Sequence, residues 1–265
     1  MIKRIVIIFI ILITVGISVY KAYTYYKAKI EQMIASGELV ELYYETIIQD
    51  KIWAHRVNSI ERLQEIAPHY KGVELDIMFV PSENNFDVYH PPALSSELSL
   101  FDFLKSNEDS NTLYWLDFKN LDSIILPNAI DRLIYICNTL SLNQNRFIVE
   151  SNQTKELQAF EQAGFKTSYY LHYPGLYTLS DEDLQAALEK INEGMKYPTT
   201  YISAPIHDYD ILKKYYPDKE MLLWLAENKL TFADNMNRSV HEWKVASDPK
   251  VKVLLYWIAT KAEIK

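Results

Sequence analysis

Four short segments of this chain carry the residue types that do chemistry: Trp53-Ala54-His55-Arg56-Val57-Asn58-Ser59, Glu74-Leu75-Asp76, His90-Pro91-Pro92 and Leu116-Asp117-Phe118-Lys119. Together they offer two histidines, three carboxylates, an arginine and a lysine. Carboxylate oxygens suit a hard cation such as Mg²⁺ or Ca²⁺, and paired histidines suit the acid and base roles in cleavage of a phosphate ester. Each polar member sits in, at the end of, or just past a run that reads as a buried strand. The four segments therefore converge if those strands are neighbours in one parallel sheet.

The rest of the chain supplies such a sheet. Strand-like runs alternate with longer segments of helical period, the pattern of βα units around a parallel sheet. Eight strands are expected, over Ile52 to His55, Val73 to Phe79, Leu113 to Phe118, Phe147 to Glu150, Thr167 to His172, Thr200 to Ala204, Met221 to Leu225 and Val251 to Trp257. Residues 230–233 compete with Met221 to Leu225 for the seventh place. Helices are expected over Ser59 to Ile66, Leu98 to Leu104, Leu126 to Asn138, Thr154 to Ala163, Asp181 to Asn192 and Asp208 to Tyr215. Eight strands and 265 residues fit one closed α/β barrel, whose active sites lie on the loops after the strands. Residues two apart on a strand share a face, so Glu74 projects with Asp76 and Asp117 with Lys119. Because Val73, Leu75, Ile77 and Phe79 make the other face of that strand apolar, Glu74 and Asp76 need partners or a metal.

Composition narrows the function. A formal net charge of −8 argues against a nucleic-acid surface, which calls for a basic face. Glycine is scarce, with 6 in the chain, and no Gly-rich phosphate loop occurs. The single cysteine, Cys137, excludes an internal disulfide and a cysteine-based zinc site, and its apolar surroundings make it a packing residue.

At the N-terminus, Met1-Ile2-Lys3-Arg4 precedes an apolar run from Ile5 to Tyr20 interrupted by Thr14, Gly16 and Ser18. Residues 1–22 thus read as a transmembrane or signal helix, an uncleaved anchor in preference to a cleaved peptide, since the bulky aromatic flank after it lacks a small-x-small site. Residues 23–50 read as a helical stalk or capping segment, and 51–265 as the barrel. The charge flanks favour a membrane-anchored protein with the barrel outside the cytoplasm.

The span from Trp53 to about Leu121 resembles the menorin family in its W-x-H-x-x-N-S start, E-x-D strand, H-P-P turn and L-D-F-K strand. Menorins in turn are similar to glycerophosphodiester phosphodiesterases, with an H-R-G start, E-x-D, an H-D pair and an E-x-K strand. That resemblance implies His55 and His90 as acid/base histidines. It implies Glu74, Asp76 and Asp117 as ligands of a divalent cation, Ca or Mg, and Arg56 and Lys119 as contacts to the phosphate. Apart from the resemblance, Asn58 and the strand-end Glu150 are candidates for a supporting position behind the ligands. Val57 stands in place of the glycine of H-R-G, Pro91 in place of the aspartate of H-D, and Asp117 in place of a glutamate; the last two are menorin-like.

Two functions follow. One is a membrane-anchored, divalent-metal-dependent phosphodiesterase-like hydrolase acting on a small phosphodiester, a glycerophosphodiester or related ester. The other is a non-catalytic menorin-like binding or adhesion module that keeps the barrel and its acidic pocket. A glycosidase reading would leave the histidines and Lys119 unexplained. Residue by residue, plainer roles compete: Asp117 and Lys119 as a simple ion pair, Arg56 as a structural partner of Glu74, Glu150 as a cap or surface residue before Asn152. The run Tyr169-Tyr170-Leu171-His172-Tyr173-Pro174 and Trp257 at the last strand either line a pocket or pack the core. Asp208-Tyr209-Asp210 either binds a cation or simply starts a helix with an N-cap aspartate.

Overall fold

A computed structural model describes residues 21, 25, 49–171, 175–225, 241–242 and 244–258. Almost all of the anchor expected over 1–22 and of the stalk over 23–50, together with His172 and the competing segment 230–233, lie outside them. Among the described residues no helix is long and apolar enough to cross a membrane.

Eight parallel strands close into a barrel. They are β1 (Ile52–Ala54), β2 (Gly72–Val80), β4 (Leu113–Phe118), β5 (Phe147–Ser151), β6 (Lys166–Tyr170), β7 (Tyr201–Pro205), β8 (Glu220–Trp224) and β9 (Val251–Tyr256). Closure is made by β1, which pairs with β2 on one side and β9 on the other. The expected strands are all present within two residues at each end. A ninth, β3 (Asn85–Val88), folds back antiparallel on the overhanging end of β2. Its four residues are too short a run to declare a period, and Phe86 secures it by packing edge-on against Phe79 and Phe118 at 5.1 and 5.4 Å.

Between the strands lie α1 (Ile60–Ile66), α2 (Leu100–Lys105), α3 (Leu126–Thr139), α4 (Thr154–Gln162), α5 (Asp181–Gly194) and α6 (Tyr209–Tyr215). Ser59, Ser99 and Ser180 cap α1, α2 and α5 by accepting the amide of the third residue on. Helix α2 starts later than its apolar pattern suggests, because the Leu98 carbonyl accepts the Val88 amide and holds Leu98 outside the helix. Asp208 stands at the start of α6 without capping it. Its carboxylate instead accepts the amides of Leu176 and Tyr177, at 2.9 and 2.8 Å, and so fixes the turn after β6.

Alternation within the strands produces two cores. Val73, Leu75 and Ile77 face outward and pack with Leu63, Phe103, Leu133 and Phe160 of the helices. Trp53, Trp115, Ile148, Tyr201, Leu222, Val253 and Leu255 form a separate cluster within the barrel. Parallel register stacks the inward residues in layers: Glu74 lies beside Trp115 and Trp115 beside Ile148, while above them Asp76, Asp117, Glu150 and Ser168 stand side by side. The apolar cluster thus floors a polar mouth at the C-terminal ends of the strands.

Candidate active site

The mouth holds a cavity of about 110 Å³ whose lining includes His55, Arg56, Glu74, Asp76, His90, Asp117 and Lys119. All seven residues picked out by type and spacing therefore meet in one place. The chain end of β1 builds the first corner. Arg56 takes a left-handed conformation, φ 53°, which turns its backbone amide onto Glu74 Oε2 at 2.7 Å. The next amide, of buried Val57, bonds the Glu74 carbonyl at 2.8 Å. Arg56 is thus a structural partner of Glu74 through its backbone, which leaves the side chain at the cavity rim. Asn58 completes the corner: its Nδ2 donates to Asp76 Oδ2 at 2.7 Å, and its Oδ1 accepts the Asp76 amide at 2.9 Å.

The third strand is fixed from beyond its end. The Asn120 side chain bonds both the amide and the carbonyl of Phe79, each at 2.9 Å, standing in for one more strand residue. Lys119 is thereby carried over the pocket, where its ammonium contacts Asp76 Oδ1 at 2.8 Å and also Asp117. The ion pair of Asp117 and Lys119 is present and extends to Asp76. Lys119 is held above the usual lysine range: against desolvation, Asp117 and Asp76 stabilise its charge.

Glu74, Asp76 and Asp117 can each present an oxygen such that the three lie within 4.8 Å of one another. Glu74 and Asp76 are 2% and 1% exposed, so their charges are compensated inside the pocket. Burial first, then the neighbouring carboxylates, raise the Glu74 carboxyl well above its ordinary value; Asp117 is raised chiefly by burial. Such a set of hard, mutually repelling oxygens fits a divalent cation. The histidines flank it, with His55 Nε2 3.7 Å from Glu74 Oε2 and His90 Nε2 4.0 Å from Asp76 Oδ1. Desolvation, with the nearby Arg56 charge, lowers His55 to about 4. Its Nδ1 is buried without a hydrogen-bond partner among the described residues.

Glu150 is neither a cap nor a surface residue. It is 2% exposed and lines the same cavity, with the Ser203 hydroxyl donating to its Oε2. Burial and the charge of Asp117 push it up to about 8. Trp115, Tyr170, Trp224 and Leu255 form the remaining lining. Of these, Tyr170 comes from the aromatic run 169–174 that was legible only as a whole; Trp224 was identifiable only from its in-phase place at the end of β8. Trp257 does not line the cavity. It is 39% exposed and lies against the Arg62 guanidinium, 4.3 Å from its ring centroid.

No protein-family model and no curated protein matches the chain. Its fold is similar to that of solved structures. A glycerophosphodiester phosphodiesterase from Parabacteroides distasonis superposes with a TM-score of 0.53 at 16% identity, over 79% of this chain and 93% of that one. A candidate glycerophosphodiester phosphodiesterase from Galdieria sulphuraria gives 0.56 at 15%, over 80% and 95%. A third, from Agrobacterium tumefaciens, gives 0.55 at 13%, over 78% and 93%. At these identities the likeness is one of fold.

Proposed function

We propose that this chain is a phosphodiesterase-like hydrolase that cleaves a glycerophosphodiester or related phosphate ester with a divalent cation. The observation that carries the reading is the convergence of Glu74, Asp76 and Asp117 within 4.8 Å between two histidines at the C-terminal mouth of a barrel. Glu74, Asp76 and Asp117 would hold Ca²⁺ or Mg²⁺, which supplies charge stabilisation to a phosphoryl oxygen. Arg56, from the rim, offers two parallel donors to the phosphate, and Lys119 a point charge. His55, at the end of β1, takes the proton of the attacking oxygen. His90, on the half-exposed side, returns one to the leaving alcohol as the phosphorus–oxygen bond breaks.

The menorin-like segments support the same reading, with Pro91 and Asp117 as their mark on the site. The apolar run before the barrel supports placing the enzyme at a membrane with its barrel extracytoplasmic. Titration of the full chain with Ca²⁺ and with Mg²⁺, followed by an assay on glycerophosphocholine, tests the proposal. Metal binding with turnover is the expected result. Metal binding without turnover on any phosphodiester would favour the binding module, and absence of metal binding would reduce the carboxylates to an ion-pair network around Lys119.

A further inference from the structure

The mouth has two unlike halves. Strands β1, β2 and β4, with the loop after β3, contribute His55, Arg56, Glu74, Asp76, His90, Asp117 and Lys119. Among the described residues, strands β5 to β9 contribute Tyr170, Trp224, Leu255 and one carboxylate, Glu150. Glu150 stands in register with Asp117 in the same layer, one strand spacing along it on the side away from Asp76. Among the described residues no cation forms an ion pair with it. Its contact is the Ser203 hydroxyl, itself fully buried on β7. Tyr170 and Trp224 stack beside it with their rings 15° from parallel and centroids 6.5 Å apart. A buried carboxyl steadied by a hydroxyl, in one cavity with two flat rings, is a built hydrogen-bonding group to which the metal and phosphate roles above give no task.

We infer that Glu150, positioned by Ser203, reads a hydroxyl on the alcohol esterified to the phosphate, while Tyr170 and Trp224 cover the carbon face of that alcohol. This rests on the phosphodiesterase reading and assigns the group that would recognise the alcohol of such a diester, through a hydroxyl a few bonds beyond the ester oxygen. Glu150 is then a specificity-determining residue. A site that hydrogen-bonds a substrate hydroxyl discriminates strongly against the analogue without it, because a buried polar group is left unpaired.

The test compares glycerophosphocholine with propylphosphocholine, which shares the phosphate and headgroup but lacks both alcohol hydroxyls. Wild type should favour the glycerol ester by about 100-fold in kcat/KM. Glu150→Leu should bring the preference to within about 3-fold by losing rate on the glycerol ester alone, and Glu150→Gln, which keeps a donor and an acceptor, should retain most of it. Ser203→Ala, a smaller change that protects against a misfolded Leu variant, should lose about 10-fold of the preference. Equal losses on both esters, or an unchanged preference in all three variants, would overturn the inference. Calorimetric binding of glycerol phosphate against propyl phosphate reads the same preference without turnover. A binding preference that depends on Glu150 in a chain that hydrolyses neither ester would remove the hydrolase reading and keep the hydroxyl readout. Equal binding of the two phosphates would remove the readout itself.

Discussion

The side-chain amide of Asn58 clasps Asp76 from both ends, donating to its carboxylate at 2.7 Å and accepting its backbone amide at 2.9 Å. One oxygen of Asp76 is thus spoken for, and the other is aimed into the pocket toward Lys119. Asn58→Ala should weaken divalent-metal affinity by about 10- to 100-fold, the usual effect of removing a partner that orients a ligand. Asn58→Asp should be at least as harmful, since it replaces a donor by a charge facing a carboxylate. Calorimetric titration of both variants, with circular dichroism to verify the fold, checks the order.

Removing a ligand should act more completely. Asp76→Ala and Glu74→Ala should abolish measurable metal binding in a folded chain. His55→Ala and His90→Ala should each lower turnover by about 10²- to 10⁴-fold, with metal affinity changed far less. A histidine variant with full activity would exclude that residue from proton transfer.

Lys119 predicts the opposite sign for binding. Its ammonium touches two of the three carboxylates, so it repels a divalent cation placed among them. Lys119→Met should raise metal affinity by about 10-fold at pH 8 while lowering turnover, and a fall in affinity would show that the lysine chiefly orders the carboxylates.

Glu150 links the site to stability. Its carboxyl is raised to about 8 in the folded protein from 4.5, so the folded state keeps a proton that the unfolded state gives up. That stabilisation is whole below about pH 4.5 and is lost as pH rises to about 8, on the order of 2–4 kcal/mol across the window. Glu74 and Asp117 are raised too and add to the same slope. Melting temperature measured from pH 5 to 8 should fall in wild type and fall less steeply in Glu150→Gln.

The barrel seam gives a purely structural test. A Cβ on Gly72 would lie 2.3 Å from the Trp53 indole, which is 4% exposed. Gly72→Ala should therefore destabilise by about 1–3 kcal/mol, measured by denaturant unfolding.

Much of this protein was legible in the chain because its signals are local. The eight apolar runs are strands, since period-two alternation and a two-sided apolar pattern leave few other ways to bury them. His55, Glu74, Asp76, Asp117 and Lys119 were recoverable because each lies at a strand end or in phase with a neighbour on the same strand. Tertiary structure decided the rest, because register and approach angle depend on pairings far apart in sequence. It alone set Glu150 beside Asp117 and Ser203 against Glu150, through strands separated by 33 and 53 residues. It alone turned Arg56 so that its backbone serves Glu74, sent Asp208 to another turn, and placed Trp224 in the mouth while leaving Trp257 outside against Arg62. A residue's type and its strand are properties of the local chain; which groups share a pocket is a property of how the barrel closes.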